Sequence, residues 1–390
     1  MLAAAIPVGE AENIATERAL GRVLARALVS PLDLPPLDNS AMDGYALHSA
    51  DIRASGTRMR VSQRITAGGV PHPLELGTAA RIFTGAPVPP GADSIVMQED
   101  CTADGDHVIF NIPAVRSGQH IRRVGEDIRR DTQILAAGTR LRAQELGLAA
   151  SIGCARLPVY RRLRVATFYT GSELATPGQA LAAGQIYNSN RYTLTGMLAA
   201  LGCEVIDLGI VRDNFVATKV ALADAACGAD LVLTSGGVSV GEEDHVRTAV
   251  EENGAISLWR IAVKPGKPLA YGQVHGTPFI GLPGNPVAVF VTFSLLVRPY
   301  LLRRQGVTEV APRAYLVTAD FDWPHAGKRR EFVRARLAPD GQSASIFANQ
   351  SSGVLTSAAW ADGLVDIPED MCVQRGQSVR YLPFSSLSAC

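Results

Sequence analysis

Residues 229–245 read ADLVLTSGGVSVGEEDH. An apolar run leads into a cluster of small hydroxyl and glycine residues, and three acids open the stretch that follows. That order describes a buried strand, a tight turn and a helix. Gly236 and Gly237 let the backbone come close to a bound group, and Ser235 and Ser239 add hydroxyl donors, so the turn suits an anion. The stretch also carries Glu242, Glu243 and Asp244, and Asp244, with Glu173 and Asp213 on other loops, is a poor neighbour for an anion unless a divalent cation lies between them.

Working outward, the alternation repeats. RLRVATFYT (162–170), CEVIDLG (203–209), LAYGQV (269–274) and TPFIGL (277–282) read as strands. NRYTLTGMLAALG (190–202), NFVATKVALADAACG (214–228), DHVRTAVEENG (244–254) and NPVAVFVTFSLLVRPYLLRR (285–304) read as helices. Strand–helix alternation predicts a parallel, doubly wound α/β sheet. The unusual loops TGSEL, IVRDN, TSGGVSVGEED and GLPGNP each follow a strand, and ligands of such sheets bind at the carboxyl ends of the strands. VKPGKP joins that rim only if its short flanking strands are suitably ordered. Lys264 and Lys267, stiffened by Pro265 and Pro268, offer cationic heads for phosphate. Asn285 is placed to cap the helix after GLPG. Glu173, Asp213 and Asp244 are the candidate Mg²⁺ ligands, since Mg²⁺ takes one or two carboxylates with phosphate oxygens and waters. A glycine-rich turn alone is often only a turn, and acids in a first helical turn also suit the helix dipole. Five such loops on one sheet carry more weight.

The flanks have other textures. Residues 10–29 read as a helix with Ile14, Leu20, Val23, Leu24 and Leu28 on its apolar side, and PLDLPPLDNS then breaks it. From 47 to 125 the runs are short and β-like. A helical pattern returns at 142–152, so the β segment reads as an insertion into a discontinuous domain. From 309 onward five short strands predict a small barrel or sandwich. The expected domains are 1–46 with 128–160, 47–127, 161–307 and 308–390.

Composition narrows the function. The chain has 390 residues with Lys+Arg 37 against Asp+Glu 37, which argues against a nucleic-acid protein relying on a broad basic field. Six cysteines form no C-x-x-C pair and no zinc spacing, which fits a reducing cytosol. The opening MLAAAIPVGEAE lacks the layout of a signal peptide, and the longest apolar run, 286–297, is short for a bilayer. A soluble cytoplasmic protein with neither nucleic-acid nor membrane partner is expected. P-loop and dinucleotide fingerprints are absent from the sequence.

TSGGVSVGEED, KPGKP and GLPGNP in this order resemble the molybdenum-cofactor biosynthesis fold shared by molybdopterin adenylyltransferases and molybdopterin molybdenumtransferases. DNSAMDGYAL (38–47), RIFTGAPVPPGADSIVMQED (81–100) and IRRVGEDI (121–128) resemble the second of these, the MoeA family, to which the E domain of gephyrin is related. The resemblance implies a multidomain α/β plus β fold. Its parts are a discontinuous linking domain, an inserted small β domain, a doubly wound α/β domain and a C-terminal β barrel. It implies a homodimer whose cleft joins the α/β domain of one subunit to the first two domains of the other. The implied reaction inserts molybdate into adenylylated molybdopterin with Mg²⁺-dependent release of AMP. A molybdopterin adenylyltransferase is the implied substrate donor.

By the same resemblance Asp43 and Asp127 line the partner's cleft, and Thr84 supplies a cleft hydroxyl. Glu173, Asp213 and Asp244 handle metal and substrate. Ser235, Gly236, Gly237 and Ser239 cradle pterin and phosphate, with Lys264, Lys267, Pro283 and Pro286 completing the rim. Arg329, Arg334 and Ser352 resemble barrel-edge residues that meet an oxyanion. Two features depart from the family pattern. Ser172 stands where the family reads Asp in TGDEL, and relatives carry another amphipathic helix ahead of the segment matching 6–29. The rival expectations are an adenylyltransferase and a non-catalytic carrier or scaffold. Molybdate and tungstate are tetrahedral dianions of nearly equal size, so the sequence treats them alike.

Overall fold

The computed structural model describes residues 1–238 and 245–387, so Ser239, Glu242, Glu243 and Asp244 lie outside the described residues. The chain divides into two compact units. One comprises Met1–Arg26, Ala137–Leu146 and Arg156–Cys390, and the other Ala27–Ala136 with Gly147–Ala155.

The larger unit is built around a six-stranded sheet. Its order is Glu204–Val211, Arg164–Thr170, Leu231–Ser235, Thr277–Leu282, Ala270–Val274, Gly254–Trp259. The first four strands are parallel, Ala270–Val274 runs antiparallel to them, and Gly254–Trp259 runs antiparallel to Ala270–Val274. The edge strand Gly254–Trp259 follows its helix directly, and the sequence reading passed over it. Strand side chains alternate between two cores. Val165, Leu231, Leu233 and Ile280 meet Leu194 and Leu198 of helix Ser189–Ala200 and Val289 and Phe293 of the long helix Pro286–Arg304. Ala166, Phe168, Val232 and Phe279 meet Leu222 and Ala225 of helix Phe215–Ala226 and Val246 and Val250 of helix His245–Asn253. Burial on both faces explains why these strands are apolar throughout rather than alternating.

The long helix Pro286–Arg304 contains a window that could cross a membrane by length and composition, but 67% of that window is buried inside the protein. It is a core helix. A π turn at Phe293–Val297 interrupts it just before Pro299, whose ring and missing N–H disturb the regular ladder.

Five strands close on themselves after the helix. Tyr315–Ala319 pairs with Ser343–Ile346 and Ser378–Pro383, Arg330–Leu337 with Ser343–Ile346 and Gly363–Ile367, and Gly363–Ile367 with Ser378–Pro383. The result is a barrel with no open edge, filled by Val317, Phe321, Val333, Val365 and Tyr381. Val263–Lys264 adds a short parallel strand beside Arg330–Glu331.

The helix expected over 10–29 does not form. Ala11–Ala15 is a strand paired with Arg156–Tyr160, Thr16–Arg18 is a single 3-10 turn, and Leu28–Val29 pairs with Gln133–Leu135. Gly21 takes φ +73°, which ends any helix there. Leu20, counted on the apolar side, is exposed, whereas Val23 and Leu24 are buried. The helix expected at 142–152 is present as Ala143–Ser151.

The smaller unit carries a second six-stranded sheet, ordered Ser94–Met97, Gly44–Leu47, Thr78–Ile82, Thr57–Ile65, His107–Phe110, Cys101–Asp104. Tyr45, Leu47, Val96 and Phe110 pack one face, and Ala46, Ile82, Ala86 and Ile95 the other.

Candidate functional site

The carboxyl ends of the four parallel strands open on a cleft of about 630 Å³ in the larger unit. Each strand end delivers one piece of it. Thr170 ends the first strand, and Gly171 and Glu173 follow. Asp213 sits in the turn after Glu204–Val211, Gly236 to Val238 follow Leu231–Ser235, and Pro283 to Pro286 follow Thr277–Leu282. The 264–268 loop joins them because Ala270–Val274 runs antiparallel to its neighbour and so begins where that neighbour ends. Arg329 and residues Gln350 to Ser352 complete the wall from the barrel.

The glycine pair is required twice over. Gly236 has φ +94° and Gly237 φ +63°. A Cβ on Gly236 would lie 2.2 Å from the Thr170 carbonyl oxygen, and one on Gly237 would lie 2.4 Å from Val246 Cγ2. Only glycine lets this turn press against the end of the neighbouring strand. The Gly236 N–H already donates to the Leu282 carbonyl at 3.3 Å, so of the pair it is Gly237 that keeps its donor for a ligand among the described residues.

Ser235 stands behind the cleft rather than in it. Its buried hydroxyl donates to the Pro283 carbonyl at 2.8 Å and accepts from Asn190 Nδ2 at 2.9 Å. The same Asn190 nitrogen donates to the Gly284 carbonyl at 2.7 Å. Asn190 therefore ties two cleft loops together, a role the sequence reading missed because it took the residue as an ordinary helix start. The NSN run at 188–190 was the available signal, since Asn188 caps helix Ser189–Ala200 by accepting from the Arg191 N–H. At the other helix, Asn285 occupies the N-cap position without a side-chain cap bond, and the Ser352 carbonyl takes the Val287 N–H instead.

Charges of both signs face the cleft. Glu173 and Asp213 are exposed carboxylates, and Asp213 accepts a hydrogen bond from Thr170 Oγ1 at 3.0 Å. Lys264, Lys267 and Arg329 supply cations. Lys264 Nζ lies 3.0 Å from Glu331 Oε2, a buried carboxylate of the barrel. Arg334 is not on the rim: it is 1% exposed, with Nε donating to Ser357 Oγ at 3.0 Å and Nη2 to the Ser351 carbonyl at 3.3 Å. Burial pulls its guanidinium down to about 10. Its backbone N–H donates to Gln350 Oε1 at 2.9 Å, so Arg334 braces the 350–352 segment from inside.

In the smaller unit Asp43 and Thr84 meet. Asp43 Oδ1 accepts from the Thr84 N–H at 2.7 Å and from its hydroxyl at 2.8 Å. Those bonds, with Arg81 nearby, hold the Asp43 carboxyl below the usual carboxylate range. Asp127 is exposed, its N–H bonded to the Leu34 carbonyl, and it pairs with neither Arg122 nor Arg123.

The described residues contain no group of three His, Cys, Asp or Glu side chains arranged as a metal cage. Glu173 and Asp213 on one cleft nonetheless fit Mg²⁺, which keeps several waters and asks the protein for one or two carboxylates. A separate cavity of about 250 Å³ between Met197, Leu201, Phe293 and Phe384 is almost wholly apolar and offers nothing to a phosphate.

Comparison with known proteins agrees across the chain. A model of the MoeA N-terminal region (domain I and II) matches residues 1–153, a probable molybdopterin binding domain matches 166–303, and the MoeA C-terminal region (domain IV) matches 317–384. A molybdopterin molybdenumtransferase of Haemophilus influenzae is 41% identical over 326 residues, covering 83% of this chain and 81% of its own length. One from Nostoc is 38% identical, with 89% of this chain and 83% of the relative covered. The crystal structure of a molybdopterin biosynthesis MoeA protein from Pyrococcus horikoshii superposes with TM-score 0.85 at 28% identity, covering 98% of this chain and 97% of that one.

Proposed function

The chain belongs to the molybdopterin molybdenumtransferases, and from that premise we propose how its cleft performs the transfer. The protein is a transferase of molybdenum cofactor biosynthesis, inserting molybdate into molybdopterin. The form of the pterin that enters is adenylylated, and its phosphoanhydride is cleaved with release of AMP. The observation that carries this reading is one cleft holding two carboxylates, three cations and a Gly237 N–H that has no acceptor among the described residues.

Cleaving a phosphoanhydride leaves the added negative charge on phosphate oxygens, and little covalent work falls to the protein. Lys267, Arg329 and the Gly237 N–H receive that charge. Molybdate, a tetrahedral dianion, suits the same cations and the Ser352 segment. Glu173 and Asp213 would hold Mg²⁺, which would supply neutralisation of phosphate charge. Asn190 and Ser235 fix the spacing of the loops that carry these groups.

In the working enzyme two copies assemble, and Asp43, Thr84 and Asp127 of each complete the cleft of the other. The donor of the adenylylated pterin is an adenylyltransferase, and the setting is the cytoplasm. The test combines purified protein, adenylylated molybdopterin, molybdate and Mg²⁺, following AMP release and reconstitution of an apo-molybdoenzyme. Activity that needs both ions supports the reading. Pterin binding with no AMP release under any ion condition sinks it in favour of a carrier.

A further inference from the structure

Glu331 is a carboxylate with no solvent to stabilise it: its side chain is 7% exposed. Burying a carboxylate is costly unless a partner offsets it. The partner is Lys264, whose ammonium lies 3.0 Å away and whose own side chain is 48% exposed at the cleft. The backbone enforces the pairing, because Val263–Lys264 lies in register beside Arg330–Glu331. Gly327 leaves the space behind: a Cβ there would fall 2.5 Å from Glu331 Oε1. Next door, Arg330 is taken by Asp366 through two bonds of 2.7 Å, so it does not compete for Glu331.

We propose that Glu331 is a positioning residue that pins Lys264 at the cleft and offsets its charge. Among the described residues Lys267 and Arg329 are then the two cleft cations without an ion-pair partner, facing a dianionic oxyanion. The cleft holds the anion without the grip that three free cations would exert, and so releases what it binds. This inference rests on the reading that the cleft takes molybdate.

Two competing effects follow from removing the carboxylate. Freeing Lys264 loosens one donor, while deleting the negative charge 3.0 Å from its ammonium leaves that cation uncompensated and strengthens attraction for an anion. At such short range the charge dominates.

The test titrates molybdate into folded wild-type, Glu331→Gln and Glu331→Asp protein at fixed salt, with circular dichroism confirming the fold. Glu331→Gln is expected to bind molybdate about tenfold tighter, with a steeper salt dependence and slower turnover. Glu331→Asp, which keeps the charge, is expected to return toward wild-type affinity. A purely structural Glu331 does not tighten binding, so unchanged or weaker affinity in Glu331→Gln overturns the proposal. If wild-type protein binds no molybdate, the functional reading fails first. In either that case or a failure of Glu331→Gln to fold, competitive acylation of wild-type lysines decides the pairing. Lys264 is expected to label several-fold more slowly than Lys267, and equal rates overturn the proposal.

Discussion

The two sides of the cleft are built on different terms. Glu173 and Asp213 are exposed on loops, and among the described residues neither has an ion-pair partner; Asp213 has only the Thr170 hydroxyl. The cationic side is backed in depth. Lys264 is held by buried Glu331, the Arg329 guanidinium reaches the Val263 carbonyl at 3.5 Å, and the 350–352 segment is braced by fully buried Arg334. Carboxylates left without counter-charge are suited to a cation from solution, as proposed above. Cations already anchored and partly offset are set for an anion that must also leave. On the proposed function the acidic side is the docking place for a metal, and the basic side is a preorganised receptor.

The largest effect is expected on the acidic side. Asp213→Asn removes one of the two described cleft carboxylates proposed to hold Mg²⁺, and activity should fall on the order of 100-fold, with partial recovery at high Mg²⁺. If the loss is small at limiting Mg²⁺, the acidic side is not a metal site.

The proposed assembly across two subunits has a sharper test. Asp43→Asn and Asp213→Asn homodimers should each be nearly inactive. After mixing and subunit exchange, about a quarter of wild-type activity should return, because half the dimers then hold one intact composite cleft. No recovery despite exchange rules out the shared cleft.

The framework common to both sides is tested by Gly236→Ala. The new Cβ meets the Thr170 carbonyl at 2.2 Å, in a left-handed backbone, so stability should drop by about 2–4 kcal/mol in denaturant unfolding. Asn190→Ala should cost about 1–3 kcal/mol, because the Ser235 and Gly284 acceptors each lose a donor.

A smaller effect concerns protonation. The Thr84 bonds keep Asp43 ionised to lower pH than an ordinary carboxyl. Whatever its ionised form contributes is present above the usual range and is lost as pH falls through the lowered value. Thr84→Val should move the Asp43 titration midpoint upward, read by carboxyl-carbon NMR. Smallest is Ser172→Asp, which restores the family's second acid beside exposed Glu173 and should tighten Mg²⁺ only a few-fold.

The sequence was most readable where burial is symmetric. The apolar strands and amphipathic helices of 164–304 carry their own period, and glycine, proline and asparagine mark the loops between them. Residues 10–29 misled because their partners are remote: Ala11–Ala15 is fixed by Arg156–Tyr160, and no local window contains that strand. Ser235 and Arg334 were expected to meet the ligand and instead stand behind the cleft as supports, since a motif position does not report which way a side chain turns. Glu331 was invisible for a related reason. In REFVRARL a glutamate reads as one polar position of an alternating strand, and only the register with Val263–Lys264 shows that it is buried against a cleft lysine.

The most direct test of the two-sided cleft measures molybdate-dependent AMP release while Mg²⁺ and molybdate are varied independently. Asp213→Asn should raise the Mg²⁺ needed for half-maximal rate and leave the molybdate requirement near wild type. Lys267→Met should do the reverse, raising the molybdate requirement about tenfold at unchanged Mg²⁺ demand. If both variants shift both requirements alike, the two sides do not divide metal from oxyanion, and the account of the cleft is wrong.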